Sequence, residues 1–166
     1  ANDVKYKGYA YVVGIDYKIA PVKLGLEYAY GSGDSANQDN KYKGFITMLD
    51  NKQKFSWIYE FRVVAPTGYG VTDSQAGLNN TRYLKASVGA DLAKDLDVKL
   101  DFYWLRANKV AGFTYTDSKD IGTEIDWLLN YKIDKNLKYF VEGGYLFAGD
   151  FYKNVATGGK NPDNPY

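Results

Sequence analysis

The chain has 166 residues, with 21 Lys and Arg against 20 Asp and Glu and a formal net charge of +1; the two signs are mixed along its length, which excludes a charged tail for nucleic acid. Hydrophobic residues make up 45% of it, yet no run approaches the ~18 consecutive apolar residues of a membrane helix, so a helical membrane protein is excluded. There is no Cys and no His, which removes disulfides, thiolate nucleophiles, Ser-His and Cys-His systems and the commonest transition-metal ligand.

Aromatic content carries more information. The chain holds 17 Tyr, 8 Phe and 3 Trp, with 17 Gly and only 4 Pro. A tyrosine ring can sit among lipid head groups while its hydroxyl stays hydrated, so this bias fits a barrel with aromatic girdles. A Tyr-rich soluble β-sandwich would share the composition, and the pattern along the chain must separate the two.

Apolar/polar alternation, the period of a two-faced strand, recurs in six stretches. In the first, residues 6–18, Tyr9, Tyr11, Val13, Ile15 and Tyr17 oppose Gly8, Ala10, Val12, Gly14, Asp16 and Lys18. After a short turn at 19–21, the second stretch, 21–31, sets Val22, Leu24, Leu26, Tyr28 and Tyr30 against Lys23, Gly25, Glu27, Ala29 and Gly31. Residues 32–80 follow as one long excursion. Within it, 55–64 (Phe-Ser-Trp-Ile-Tyr-Glu-Phe-Arg-Val-Val) has the composition of a strand, but a single crossing there would reverse the direction of everything downstream. It is therefore read as loop structure, extended or folded inward.

The third and fourth stretches, 81–92 and 96–106, form a hairpin about Lys94-Asp95. Leu84, Ala86, Val88, Ala90 and Leu92 share the apolar face with Leu96, Val98, Leu100, Phe102 and Trp104; Lys85, Ser87, Asp91, Asp97, Lys99 and Asp101 share the other. A third hairpin, 121–132 and 137–148 with its turn at 134–136, has Ile125, Trp127, Leu129, Val141, Tyr145 and Phe147 on one face. Glu124, Asp126, Asn130, Lys132, Lys138 and Glu142 lie on the other, broken by Leu128 and Phe140. Residues 109–119 and 150–166 are read as two further outer loops.

None of these outward positions is charged, and the opposite face is too rich in Gly and Ala for a packed core. The three short turns also share one end, as periplasmic turns do in outer-membrane barrels, and the long loops share the other. The expected fold is all-β: an antiparallel up-and-down transmembrane β-barrel, here a partial barrel of about six membrane strands with long outer loops, residues 1–166 being part of one domain in the outer membrane of a Gram-negative bacterium. About eight strands is the smallest closed barrel of this kind. More strands are expected before Ala1 and after Tyr166, or from other copies, the fragment being the simpler account; a secretory signal is expected to have been removed or to lie upstream.

At this point specific residues resemble a family. Gly31-Ser32-Gly33-Asp34 closes a strand, Gly77-Leu78-Asn79-Asn80 opens the next, and Gly122-Thr123-Glu124-Ile125-Asp126 is followed by Gly143-Gly144-Tyr145 running to Phe147 and Gly149-Asp150. In this order they are similar to the carboxy-terminal strands of the alginate-export porins, monomeric outer-membrane barrels. The resemblance implies a channel whose lumen, in known members, passes an anionic polyuronate past Arg and other basic groups. This chain has only Arg62, Arg82 and Arg106.

The candidate lumen-lining residues are Asp16, Lys18, Lys23, Glu27, Lys85, Asp91, Lys99, Asp101, Glu124, Asp126, Lys138 and Glu142. With Asp97 and Lys132 added the inward signs nearly balance, which predicts weak ion selectivity. The pairs Asp97/Asp101 and Glu124/Asp126 could in principle serve a glycosidase, but Lys85, Lys99, Lys132 and Lys138 share their face, so a cross-strand ladder of opposite charges is preferred. Residues 31–40 are oxygen-rich but lack EF-hand spacing and are read as a solvated loop.

No catalytic, metal or cofactor residue is expected, and no enzyme. The expected partners are the outer-membrane bilayer, the remaining strands of the same barrel and a hydrophilic small-molecule or oligosaccharide solute, with no nucleic acid. The leading reading is a passive outer-membrane channel with 32–80 as a candidate constriction. The alternatives are a structural or adhesive barrel with a plugged lumen, and a soluble carbohydrate-binding β-sandwich.

Overall fold

Residues 3–35, 40–46, 55–59, 78–110 and 116–157 are described by a computed structural model, with side chains given as far as 154. Its elements are β1 (Lys5–Tyr6), β2 (Ala10–Ile19), β3 (Val22–Gly31), β4 (Lys41–Tyr42), β5 (Thr81–Ala93), β6 (Leu96–Ala107), β7 (Asp120–Lys132), β8 (Lys138–Ala148) and α1 (Asp150–Thr157). Six strands form one antiparallel sheet in the order β2-β3-β5-β6-β7-β8. The sheet does not close: β2 and β8 are its edges. A sandwich needs a second sheet over the first, and among the described residues the only other sheet is the parallel pair β1-β4.

The excursion after β3 leaves the strand order undisturbed, because β3 pairs directly with β5, from Val22↔Ala90 to Tyr30↔Arg82. The described part of 55–64, residues 55–59, joins no strand; 60–64 lie outside the described residues. Two boundaries differ from the sequence reading. The first sheet strand begins at Ala10, because Lys5 and Tyr6 pair with Lys41 and Tyr42, and the Tyr6 and Tyr42 rings meet edge to face at 5.9 Å. The segment after β8 opens as a helix rather than a loop, with Phe151 buried in the core.

The turns are short for local reasons. At the β7-β8 turn, the Asp134 carboxylate accepts the backbone N–H groups of Asn136 (2.6 Å) and Leu137 (3.0 Å), the side-chain-to-backbone bonding that favours Asp in turns. The three tight turns lie at one end of the meander, and the termini of β3, β5, β6 and β7 that lead into the long connections lie at the other.

The outer face is laid out in rows by the register. Central rows read Ile15-Leu26-Ala86-Phe102-Ile125-Tyr145 and Tyr17-Leu24-Val88-Leu100-Trp127-Gly143. Most of these side chains are exposed, among them Leu26, Phe102 and Tyr145, an uncharged band that costs free energy in water and none against hydrocarbon. Charge enters this face at the loop end, in the row Tyr30-Arg82-Arg106-Asp120.

The buried core sits on the inner face, also at the loop end. Ala29, Tyr83, Tyr103, Leu105, Ala107, Ile121 and Phe151 form it, roofed by Phe55, Tyr59, Leu78, Val110 and Leu146. Ile121 reaches the inner side through a bulge: Leu105 pairs with Gly122 but Arg106 pairs with Asp120. Gly122 permits this, with φ of 136° and no room for a Cβ against the Phe147 carbonyl.

Candidate functional site

Alternation puts the polar side chains on the concave inner face, which divides into an open half toward the turns and a covered half toward the loops. In the open half a hollow of about 520 Å³ lies over Asp16, Lys18, Lys23, Glu27, Lys85 and Lys99, six of the twelve candidate residues. Lys23 pairs with Asp91 at 2.5 Å, both side chains well exposed, and such a pair contributes little stability. Lys138 stands over the Phe140 ring at 5.4 Å, beside its register partner Lys132.

The inner face is not a simple ladder of opposite charges. Register sets Lys18 against Lys23, Asp91 against Asp97, Asp101 against Asp126 and Lys132 against Lys138. The alternation that assigns faces says nothing about sign, and the register pairs equal charges wherever the turns dictate. Lys132 and Lys138 have no carboxylate paired to either among the described residues, whereas the other three repulsions are relieved from elsewhere. Asp101 accepts from Ser87 (2.5 Å) and from Lys99 two residues along its own strand (2.7 Å), and Asp97 accepts from Asn130 (3.0 Å). Glu27 and Lys85 do form the expected opposite pair at 2.8 Å, joined by the Tyr83 hydroxyl at 2.7 Å.

Toward the loops the wall is covered by residues 55–59, which fold inward onto β6 and β7. The Asp126 carboxylate accepts the Trp57 N–H at 2.9 Å. Glu124, fully buried, accepts the Ile58 N–H at 2.5 Å with one oxygen and the Tyr59 N–H at 2.8 Å with the other. The Tyr103 hydroxyl donates to the Phe55 carbonyl at 2.5 Å, and the hydroxyls of Tyr59 and Thr81 share a bond of 2.9 Å. The Phe55 ring stacks on Tyr83 with centroids 4.7 Å apart. A carboxylate taking two backbone donors in a dry site makes charge-assisted bonds, stronger than neutral ones.

Room for this segment comes from Gly144, the register partner of Asp126. A Cβ there would collide with the Asp126 Oδ1 and approach Trp57 and Ile58 at 3.2 Å. Below the segment a smaller hollow of about 180 Å³ is lined by Phe55, Trp57, Lys99, Asp101, Asp126 and Glu142, among others. Glu124 and Asp126 thus hold a loop, a role the sequence reading did not assign them. A signal existed: a glycine opposite a strand carboxylate marks a close approach of another segment. Arg82 and Arg106 lie on the outer face, the Arg106 guanidinium 4.7 Å from the Trp104 ring; Arg62 lies outside the described residues.

The four glycine motifs meet in two places. At the rim, Ser32 accepts the Asn80 N–H through its carbonyl (3.2 Å), and Gly31 accepts the Asn108 side-chain amide (2.6 Å). Across β7 and β8, Gly122 pairs with Ala148 and Asp126 with Gly144. No curated protein matches the chain. The family model described as alginate export matches residues 2–162, nearly the whole sequence. On that match this chain belongs to the alginate export family, a family of outer-membrane transport proteins and not of enzymes.

Proposed function

We propose that this chain forms part of the wall of an outer-membrane channel for passive passage of hydrophilic solutes, with oligosaccharides of the polyuronate type as the favoured class. The observation that carries this reading is the contrast between the two faces of one single-layered sheet: uncharged rows outside, and inside a hollow of about 520 Å³ whose lining includes charged side chains of both signs, on the turn side of an inward segment. The twelve candidate residues line the water path or hold its constriction, which residues 55–59 form. The outer-membrane bilayer covers the outer rows, and further strands of the same barrel pair with β2 and β8, since unpaired backbone is not tolerated in hydrocarbon.

Conductance of the intact barrel in planar bilayers tests this. Ohmic single-channel steps, reduced by added polyuronate oligomers, are the expected result; steps indifferent to any oligosaccharide would remove the substrate class. A plugged structural barrel is the second reading, favoured by the covered half of the inner face, and it would give no steps.

A further inference from the structure

Arg82 and Arg106 are register partners on adjacent strands, on the outer face of the sheet at its loop end. Two cations directly opposite each other destabilise a strand pair unless something compensates them. Among the described residues no ion pair reaches either guanidinium. Asp120, the register partner of Arg106 on its other side, is the obvious neighbour. It makes no ion pair with Arg106, and its Cγ lies beside Gly149 at the β8-α1 junction. Arg106 is half-buried over Trp104, its Nε unpartnered, so the fork is held in place on the indole face.

The row immediately below is Tyr28-Leu84-Trp104-Thr123, the start of the uncharged band. The pair therefore stands where apolar wall gives way to head groups, flanked by Tyr30 and braced by Trp104, residue types that favour that boundary. Register sets the two Arg residues side by side, and the planar guanidinium fork matches phosphate oxygens bidentately.

The geometry points to Arg82 and Arg106 as a binding site for a phosphorylated lipid headgroup on the outer surface of the wall. The site rests on the membrane reading above and lies outside the solute path. It fastens the loop end of the sheet to its leaflet and compensates the opposed charges.

The test uses the intact protein in detergent micelles, with phosphatidic acid, diacylglycerol and inorganic phosphate as probes and native mass spectrometry as the readout. Flotation with vesicles is run in parallel. The wild type is expected to retain one phosphatidic acid and no diacylglycerol. Arg82→Gln with Arg106→Gln should weaken retention roughly thirtyfold, from about a fivefold contribution per cation at a charged surface. Arg82→Gln alone leaves the Trp104 stack intact and should still weaken it, so a folding defect at Arg106 cannot mimic the result. Equal retention by the variants, or equal retention of diacylglycerol, overturns the site. Displacement of the lipid by an equal concentration of inorganic phosphate overturns its assignment to a lipid. Failure of the wild type to float with vesicles overturns the membrane reading itself, a separate outcome.

Discussion

Glu124 and Tyr59, 65 residues apart in sequence, are joined by a hydrogen bond of 2.8 Å from the Tyr59 backbone N–H to a fully buried carboxylate oxygen. The other oxygen takes the Ile58 N–H. One strand residue thus satisfies two donors of residues 55–59, which join no strand, and it does so away from water, where an unmade bond is costly.

Glu124→Gln tests that anchor. The amide offers one acceptor oxygen and turns its NH₂ toward a backbone donor, a cost of about 1–3 kcal/mol. Limited proteolysis within 55–59 should accelerate, and the barrel should remain folded by circular dichroism. An unchanged cleavage rate would show that the segment is held by its aromatic packing on Tyr83 and Tyr103 instead.

Gly144→Ala approaches the same contact from the opposite strand. The new methyl would occupy the space of the Asp126 Oδ1 and press on Trp57 and Ile58. Overpacking of this kind costs about 1–3 kcal/mol, so the proteolysis signature should match that of Glu124→Gln. Gly143→Ala is the control: its Cβ meets the Trp127 ring on the outer face, 2.8 Å from Cζ2, and cleavage of 55–59 should not change.

Phe102→Arg tests the outer band. Phe102 is half-exposed in the central row, between Ala86 and Ile125. A cation near the bilayer midplane costs about 2–4 kcal/mol, so refolding into vesicles should fail or its denaturant midpoint should fall clearly. Ser87→Arg, one row away on the inner face, should be tolerated better. Equal behaviour of the two variants would mean that both faces meet water.

Selectivity offers a fourth check. Lys132 and Lys138 face each other with no carboxylate paired to either among the described residues. Replacing both by Glu converts an opposed cationic pair at the turn end of the inner face into an anionic one, and the reversal potential under a salt gradient should move toward cation preference. Arg82→Gln on the outer face should leave it where it is.

What the sequence determined by itself is the part governed by period and turn chemistry. Alternation from Tyr9 to Tyr17, Val22 to Tyr30 and through the two later hairpins assigns the six strands of the large sheet and their two faces, though not the short pair β1-β4, because neighbouring side chains on a strand must point in opposite directions. Lys94-Asp95 and Asp134 mark turns too short to do anything but pair neighbours, and strand parity argues 55–64 out of the sheet, of which the described part, 55–59, joins no strand. Tertiary structure alone decided what sits against those faces. The capture of Trp57, Ile58 and Tyr59 by Asp126 and Glu124, the inward turn of Ile121 at its bulge, the pairing of Asp101 with Asp126 and the helix that brings Phe151 into the core all join distant positions. No local pattern encodes them, because each depends on the register in which separate strands meet and on the room that residues such as Gly144 leave between them.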